Sequence, residues 1–399
     1  MQAYEERFLT ALSCSLRGEH GAEPVEAQEL RSLTRLSLGQ AVLPLVAEGL
    51  CGESVRSDEE RGIRNIARSQ TVAQASRTGE FLLLYDELGK RGLHPAVLKG
   101  IVCRSLYPQP EQRASTDEDL LILPEEFARY HEALLSCGLQ LVDPHAQLSG
   151  ADEVSYRDDD RGLYLELHMQ PFPPDSSAYG DCNRLFIGAL ERTTELLIYG
   201  VSVRTLGETD HLLYLLCHAY KHLLHGGVGI RQICDILMFS RRFGKAIDWG
   251  QIRGACDQLH ISLLIAAVFR IGERHLGFSV PEAFADLDPD EGPLLEDCLS
   301  GGLYGANDPD RLHSSTLTLE AVAARKHGRR RRGALHSVFL SAGSLSGRYP
   351  YLRERPWLLP LAWTQRIWSY LFLGKSNPGK TIQIGRERIA LLKQYQILP

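Results

Sequence analysis

A chain of 399 residues, 44% hydrophobic and 24% charged, has an ordinary globular composition and is long enough to bury a large core and to divide into two or three domains. A formal net charge of −6 excludes broad, non-specific nucleic-acid binding, which needs an excess of Lys and Arg, and leaves only a local basic patch open. Nine cysteines without a Cys-x-x-Cys pair predict reduced, mostly buried thiols. Acids in the opening MQAYEERF, and no apolar run long enough to cross a bilayer, predict a cytoplasmic protein.

The first 92 residues read as helices. Apolar spacing predicts them over 5–16, 27–50 and 59–88, punctuated by Pro24, Gly52 and Ser57-Asp58. Ser57 or Asp58 is a good N-cap, with Glu59 and Glu60 in a first turn that favours acids. Phe81, Leu84, Tyr85 and Leu88 share one apolar face, and Gly89 or Gly92 ends the helix. This segment carries no pattern of chemistry and reads as a packing or lid element.

The segment from about 93 to 205 does carry chemistry. Pro95 to Leu98 is a short buried strand, Lys99-Gly100 opens a helix over 101–106, and Pro108, Pro110 and Gln112 mark a loop ahead of Arg113. A second strand over 117–123 begins with Asp117 and Asp119. Residues two apart on a strand share a face, so two carboxylates stand side by side where they repel and lose hydration. A divalent cation is the usual compensation, and Mg²⁺ prefers hard oxygen ligands. An acidic edge strand kept soluble by its charge is the alternative. Glu118 must point to the opposite face, where burial demands a partner or an exposed edge.

Pro124-Glu125-Glu126 starts a helix running to Cys137, stopped by Gly138, and 139–142 reads as a further strand. Strands over 154–157 and 163–169 form a hairpin around Asp158-Asp159-Asp160-Arg161-Gly162, whose acids are turn chemistry. Tyr164, Glu166 and His168 share one face of its second strand.

Beyond residue 206 the pattern is helical. A helix over 208–224, capped by Gly207, places His211, His218, His222 and His225 on one stripe if it persists to His225, with Lys221 beside them. Without a Cys or carboxylate in a zinc spacing, this reads either as a polar stripe facing a cleft or as satisfied interface histidines. A helix over 230–242 offers Arg231 and Asp235 as an i,i+4 pair, or Arg231 as a phosphate contact. Asp248 caps another helix, and 261–276 is a buried helix. Residues 325–332 form a basic run without interleaved aromatics, best read as a solvated connector. Tyr349-Pro350-Tyr351 and Pro356 to Pro360 precede an apolar helix over 361–372. Trp357, Trp363 and Trp368 suggest a packed end piece, and a loop over 374–380 leads to a last helix ending near Leu392.

The ordered set Leu98-Lys99-Gly100, Tyr107-Pro108, Arg113 followed by Asp117 and Asp119, and Glu166-x-His168 resembles the nucleotidyltransferase superfamily with a DNA polymerase β-like core. It is most similar to the bacterial branch that reads L-K-G, Tyr-Pro, Arg-x-x-x-Asp-x-Asp and Glu-x-His. A lone Asp-x-Asp is weak evidence, whereas four motifs in order are much stronger. The resemblance runs from about Leu83 into the helical half. One departure is Glu118, at a position usually aliphatic in that branch.

The resemblance implies an α+β fold, with a small mixed β-sheet core over 93–205. An N-terminal helical segment over 1–92, a bundle over 206–300 and a C-terminal helical extension over 301–399 flank it. It implies that Asp117, Asp119 and Glu166 hold two Mg²⁺ ions, that Lys99, Gly100 and Arg113 bind phosphates, and that His168, Lys221 and Arg231 contact the nucleotide. The reaction implied is transfer of a nucleoside monophosphate from an NTP, with ATP the first candidate, to a hydroxyl-type acceptor on a small molecule or peptide, as in natural-product biosynthesis. A nucleotide-binding scaffold that kept the fold without catalysis is the alternative, motivated by Glu118. A phosphate-releasing metal enzyme is a third.

Overall fold

The computed structural model describes residues 1–19, 25–50, 57–146, 148–326, 349, 351–368 and 378–399. Seven strands form one mixed sheet: β1 (Ala96–Val97), β2 (Glu118–Leu121), β3 (Gln140–Leu141), β4 (Glu153–Asp158), β5 (Leu163–His168), β6 (Thr193–Ile198) and β7 (Val201–Leu206), in the spatial order β3-β4-β5-β2-β1-β7-β6. β2 runs antiparallel to β1 and parallel to β5, with Asp119 opposite Glu166 and Leu121 opposite His168. The β6–β7 hairpin was not expected from the sequence. Its turn is Tyr199-Gly200, both at positive φ (49° and 84°), a two-residue geometry that matches strand twist. The alternation in VSVRTL was the available signal. This hairpin matters because β7 pairs in parallel with β1 at Val97 and Thr205 and so fixes the strand that leads to Lys99.

Strand alternation sorts the sheet into two faces. Val97, Leu120, Leu165 and Leu167 pack with Phe81, Leu84, Tyr85 and Leu88 of α4 (Asp58–Lys90) and with Tyr130 and Leu134 of α6 (Phe127–Ser136). Ala96, Leu98 and Leu121 face the other way, into a larger core. That core contains α1 (Ala3–Arg17), α3 (Leu43–Leu50), α7 (Glu208–His225), α8 (Ile230–Phe243), α9 (Trp249–Leu259) and α10 (Ser262–Ile271). Phe8, Leu12 and Leu16 of α1 thus share one apolar interior with Leu212, Leu216 and Ile233. The charged ends of β2 and β5 are therefore pressed between the sheet and α7, a wall that excludes water from one side.

Several boundaries move. The helix expected over 27–50 is two, α2 (Ala27–Gly39) and α3, separated where Ala41 takes φ 52°. Helical apolar spacing continues through the break, so periodicity could not see it. Ser57 caps α4 as expected, accepting the Glu60 N–H at 3.1 Å. α5 (Ile101–Arg104) is a single turn, and α7 does persist to His225. Arg325 and Lys326 end α12 (Pro309–Lys326), and Lys326 pairs with Asp181 at 2.5 Å. Pro24, Gly52, the rest of the basic run at 327–332, Pro350 and most of the 374–380 loop lie outside the described residues. The helix expected over 361–372 is described from Leu359 to Trp368, and Pro378–Gln394 forms the last helix. Trp363 packs with Tyr349, Tyr351 and Leu358, whereas Trp357 is exposed. Eight described cysteines are free thiols. No helix among the described residues is long and apolar enough to cross a membrane.

Candidate active site

The register of β2 against β5 assembles the first part of the site. Asp119 and Glu166 are direct partners on neighbouring strands, so both carboxylates project from the same face. His168, two residues on, stands between them. Its Nε2 lies 3.2 Å from Asp119 Oδ1 and 3.5 Å from Glu166 Oε2, and its Nδ1 lies 3.5 Å from Glu153 Oε2. One donor atom each from Asp119, Glu166 and His168 fall within 4.8 Å of one another. Asp117, just before β2, is half-buried at the mouth of the site and stands outside that tight cluster.

Lys99 closes the second side. Its Nζ lies 3.4 Å from Asp117 Oδ2, 3.2 Å from Asp119 Oδ2 and 3.2 Å from His218 Nε2. The ammonium is thus a resident cation between the two aspartates. Asp119 Oδ2 is buried and, despite that ion pair, accepts no hydrogen bond of good geometry. Its charge is met there by the Lys99 ammonium alone. The hard carboxylate oxygens of Asp117, Asp119 and Glu166 are of the kind a magnesium-type ion takes.

The charges are strongly coupled. Burial opposes the Lys99 charge, but Asp119 and Asp117 outweigh it and hold the ammonium well above its ordinary range. Burial likewise works against ionised Asp119, and Lys99 with His168 overcomes it and pulls the carboxyl below its usual range. Glu166 goes up, mainly because it is desolvated. His168 is disfavoured by burial but lifted to about 9 by hydrogen bonds to Asp119 and Glu166. Lys99 and His168 thus supply the positive charge beside the carboxylates of Asp117, Asp119 and Glu166.

Glu118 faces the opposite side, as strand alternation required, and is buried there. It pairs with Arg104, whose other arm binds Ser115, and its Oε2 accepts the Ile101 N–H at 2.7 Å. One N–H at the Lys99-Gly100 turn, expected to serve phosphates, is therefore used from beneath by this carboxylate. The residue after Lys99 must be Gly: φ is 53°, and a Cβ would sit 1.9 Å from Glu118 Oε2.

Arg113 and Arg231 end up in places the sequence did not indicate. Asp235 pairs not with Arg231, four residues away, but with Arg113, through Nε–Oδ1 at 3.0 Å and Nη2–Oδ2 at 2.6 Å, and it also accepts the Tyr107 hydroxyl at 2.8 Å. Arg113 does not touch Asp117 or Asp119. Arg231 donates to the Ala114 carbonyl and to the Tyr304 hydroxyl at 3.2 Å. The Tyr-Pro and Arg motifs thus meet α8 in one buried cluster. Tyr304 was missed altogether, since nothing in GGLYGAND marks it as a site residue.

The histidine stripe splits. His218 reaches Lys99, and His222 lies 3.1 Å from His218 and stacks on Tyr304 at 4.2 Å between ring centroids. Burial first, then the Lys99 charge, holds both imidazoles well below their ordinary range. Lys221 is half-buried beside them and adds to the same effect. His225 instead meets the Tyr179 hydroxyl at 2.9 Å, and His211 is interior. The Thr205 hydroxyl donates to the Val97 carbonyl at 2.6 Å, so His211 Nδ1, 2.9 Å away, carries the proton.

Burial depresses His211 from 6.5 to about 3. A depressed imidazole contributes its full stability above pH 6.5 and loses it as pH falls from 6.5 towards 3, because only the unfolded chain takes up the proton. Urea unfolding stepped through that window should show the wild type losing up to about 1.4 kcal/mol per pH unit more than His211→Gln. Equal slopes would show that His211 titrates normally in the fold.

A family model described as an uncharacterised nucleotidyltransferase matches residues 26–277, more than half of the chain. The match includes the whole sheet and helices α7 to α10, and ends before Tyr304. No curated protein and no solved structure matches the chain.

Proposed function

The chain belongs to the uncharacterised nucleotidyltransferase family, and from that premise we propose that it transfers a nucleoside monophosphate from an NTP, ATP first among them, to a hydroxyl on a small-molecule or peptide acceptor, with release of pyrophosphate. The observation that carries this reading is the in-register pair Asp119 and Glu166, clustered with His168, with Asp117 just before the same strand. These three carboxylates would hold two Mg²⁺ ions, which when bound neutralise phosphate charge and favour departure of pyrophosphate.

The chain's own groups have distinct tasks. Glu166, with a side chain 24% exposed against 1% for Asp119, is the carboxylate that an acceptor hydroxyl can reach and is assigned its proton. His168 holds Glu166 and Asp119 in mutual orientation from between them. Lys99, beside the Gly100 turn, would offer its ammonium to the phosphates, with Arg231 and the Asp235-locked Arg113 beyond it. Lys221, next to His218 and His222, contributes positive charge at the same cleft. α7 and the sheet exclude water, which favours transfer to the acceptor over hydrolysis.

Glu118 does not argue for a silent scaffold, because its carboxylate is paired on the far face and leaves the metal-facing side clear. Incubation of the full chain with each labelled NTP, Mg²⁺ and a cell extract tests the proposal. Label transfer with stoichiometric pyrophosphate is the expected result. Nucleotide binding without turnover, or release of inorganic phosphate alone, would replace it with a different activity.

A further inference from the structure

Beyond Lys99, between the sheet and helices α7 and α8, lies a small pocket partly open to solvent. Lys99, Arg113, Arg231, Gln232, Asp235 and Tyr304 line it. Three of these side chains each carry a buried N–H group with no acceptor: Arg113 Nη1, Arg231 Nε and Gln232 Nε2. The residues are only 3%, 5% and 7% exposed.

Their remaining atoms are committed, which holds the free donors in place. Arg113 is gripped by Asp235 through its other two nitrogens. Arg231 is held by Ala114 and Tyr304, and Gln232 Oε1 accepts the Gly229 N–H at 2.9 Å. Asp235 is itself engaged by Arg113 and Tyr107. Native folds rarely leave even one buried donor unpaired. Three around a single pocket, all of them donors, favour a ligand rich in acceptors. Arg231 and Gln232 belong to the first turn of the 14-residue α8, whose dipole also favours an anion. The donors come from two directions, the loop before β2 and the start of α8, which suits a tetrahedral oxyanion with several oxygens better than a flat carboxylate.

Tyr304 is built into this arrangement by strain. It takes φ 58° in a turn flanked by Gly302 and Gly305. A Cβ on Gly226 would meet the Tyr304 carbonyl oxygen at 2.2 Å, and one on Gly305 would meet the Gly226 oxygen at 2.3 Å. The two turns interlock through bare backbone, and the Tyr304 ring is thereby set against His222 with its hydroxyl on Arg231. Left-handed backbone at a non-glycine residue persists only where its surroundings impose it.

We propose that this pocket is a phosphate subsite, with Gln232 and Tyr304 as members alongside Arg231 and Arg113. Resting on the nucleotidyltransferase reading, it takes either the terminal phosphate of the nucleotide or a phosphate carried by the acceptor. The test is calorimetric titration of inorganic phosphate into the full chain without metal. Saturable one-to-one binding is expected, weakened at least about tenfold in Arg231→Met/Gln232→Leu, as for the loss of hydrogen bonds to a charged ligand. Tyr304→Phe removes only the oxygen that holds Arg231 and should weaken binding about fivefold, the worth of one hydrogen bond; it keeps the test decisive should the double variant misfold. Asp117→Ala/Asp119→Ala should bind phosphate at least as well as wild type, so failure of the carboxylate assignment and failure of the pocket give different results. Competition between Mg·ATP and phosphate assigns the pocket to the nucleotide, and simultaneous binding assigns it to the acceptor. No saturable binding by the wild type, or equal binding by wild type and Tyr304→Phe and the double variant, overturns the proposal.

Discussion

Asp119→Asn should lower the rate of nucleotide transfer by at least about 10³-fold, because the charge stabilisation a bound metal supplies amounts to several kcal/mol and each 1.36 kcal/mol is a factor of ten. The substitution keeps the shape of the side chain and removes its charge. Lys99 retains Asp117 at 3.4 Å and His168 retains Glu166 at 3.5 Å, so neither cation is left without a partner and the fold should persist. Asp117→Asn should act in the same direction with a smaller effect, since Asp117 is half-buried and outside the tightest cluster. Groups that act as one unit are non-additive, so Asp117→Ala/Asp119→Ala should be little worse than Asp119→Asn alone. Pyrophosphate release under saturating NTP and Mg²⁺ measures all three, with circular dichroism to verify folding. Unchanged transfer in the double variant would remove these residues from the reaction.

How far the sequence reached depends on the range of each interaction. Asp119, Glu166 and His168 come together as expected because strand alternation is local and the two segments carry ordered motifs; Asp117, expected on the same strand, precedes β2. That Asp119 would meet Glu166 in register required the pairing of β2 with β5, which the motif resemblance implied and period-2 spacing alone did not. The ion pair of Arg113 with Asp235 spans 122 positions, and no local pattern anticipates it. The i,i+4 spacing of Arg231 and Asp235 pointed to a helical pair that the longer-range partner displaced. The histidine stripe had the correct helical phase but not a single environment. His218 and His222 look towards Lys99, whereas His211 looks into the base of β7. Tyr304 depends on an αL backbone and on two interlocking glycine turns, features that composition and periodicity do not encode.

Arg104→Met should be the most damaging of the substitutions that never touch a ligand, costing about 3–5 kcal/mol, the penalty for stranding one member of a buried ion pair. Glu118 is 7% exposed and Arg104 1% exposed, and burial already pushes the Glu118 carboxyl up against the pull of Arg104. Without Arg104, the carboxylate keeps only the Ile101 N–H. Glu118→Leu should also be strongly destabilising, because it strands the buried Arg104 charge, which a guanidinium cannot shed by losing a proton, and leaves that N–H without its acceptor. Replacing both at once, Arg104→Met/Glu118→Leu, should recover much of the loss, because apolar residues of similar volume remove both desolvation penalties. Urea unfolding of the two single variants and the double variant closes the cycle. The same carboxylate holds the start of α5 from beneath, one residue after Gly100 and two after Lys99. The double variant, with stability largely regained, should therefore still bind nucleotide more weakly than wild type. Full recovery of nucleotide affinity would show that Glu118 serves stability alone. Additive losses in the cycle would show that Arg104 and Glu118 do not act as a pair.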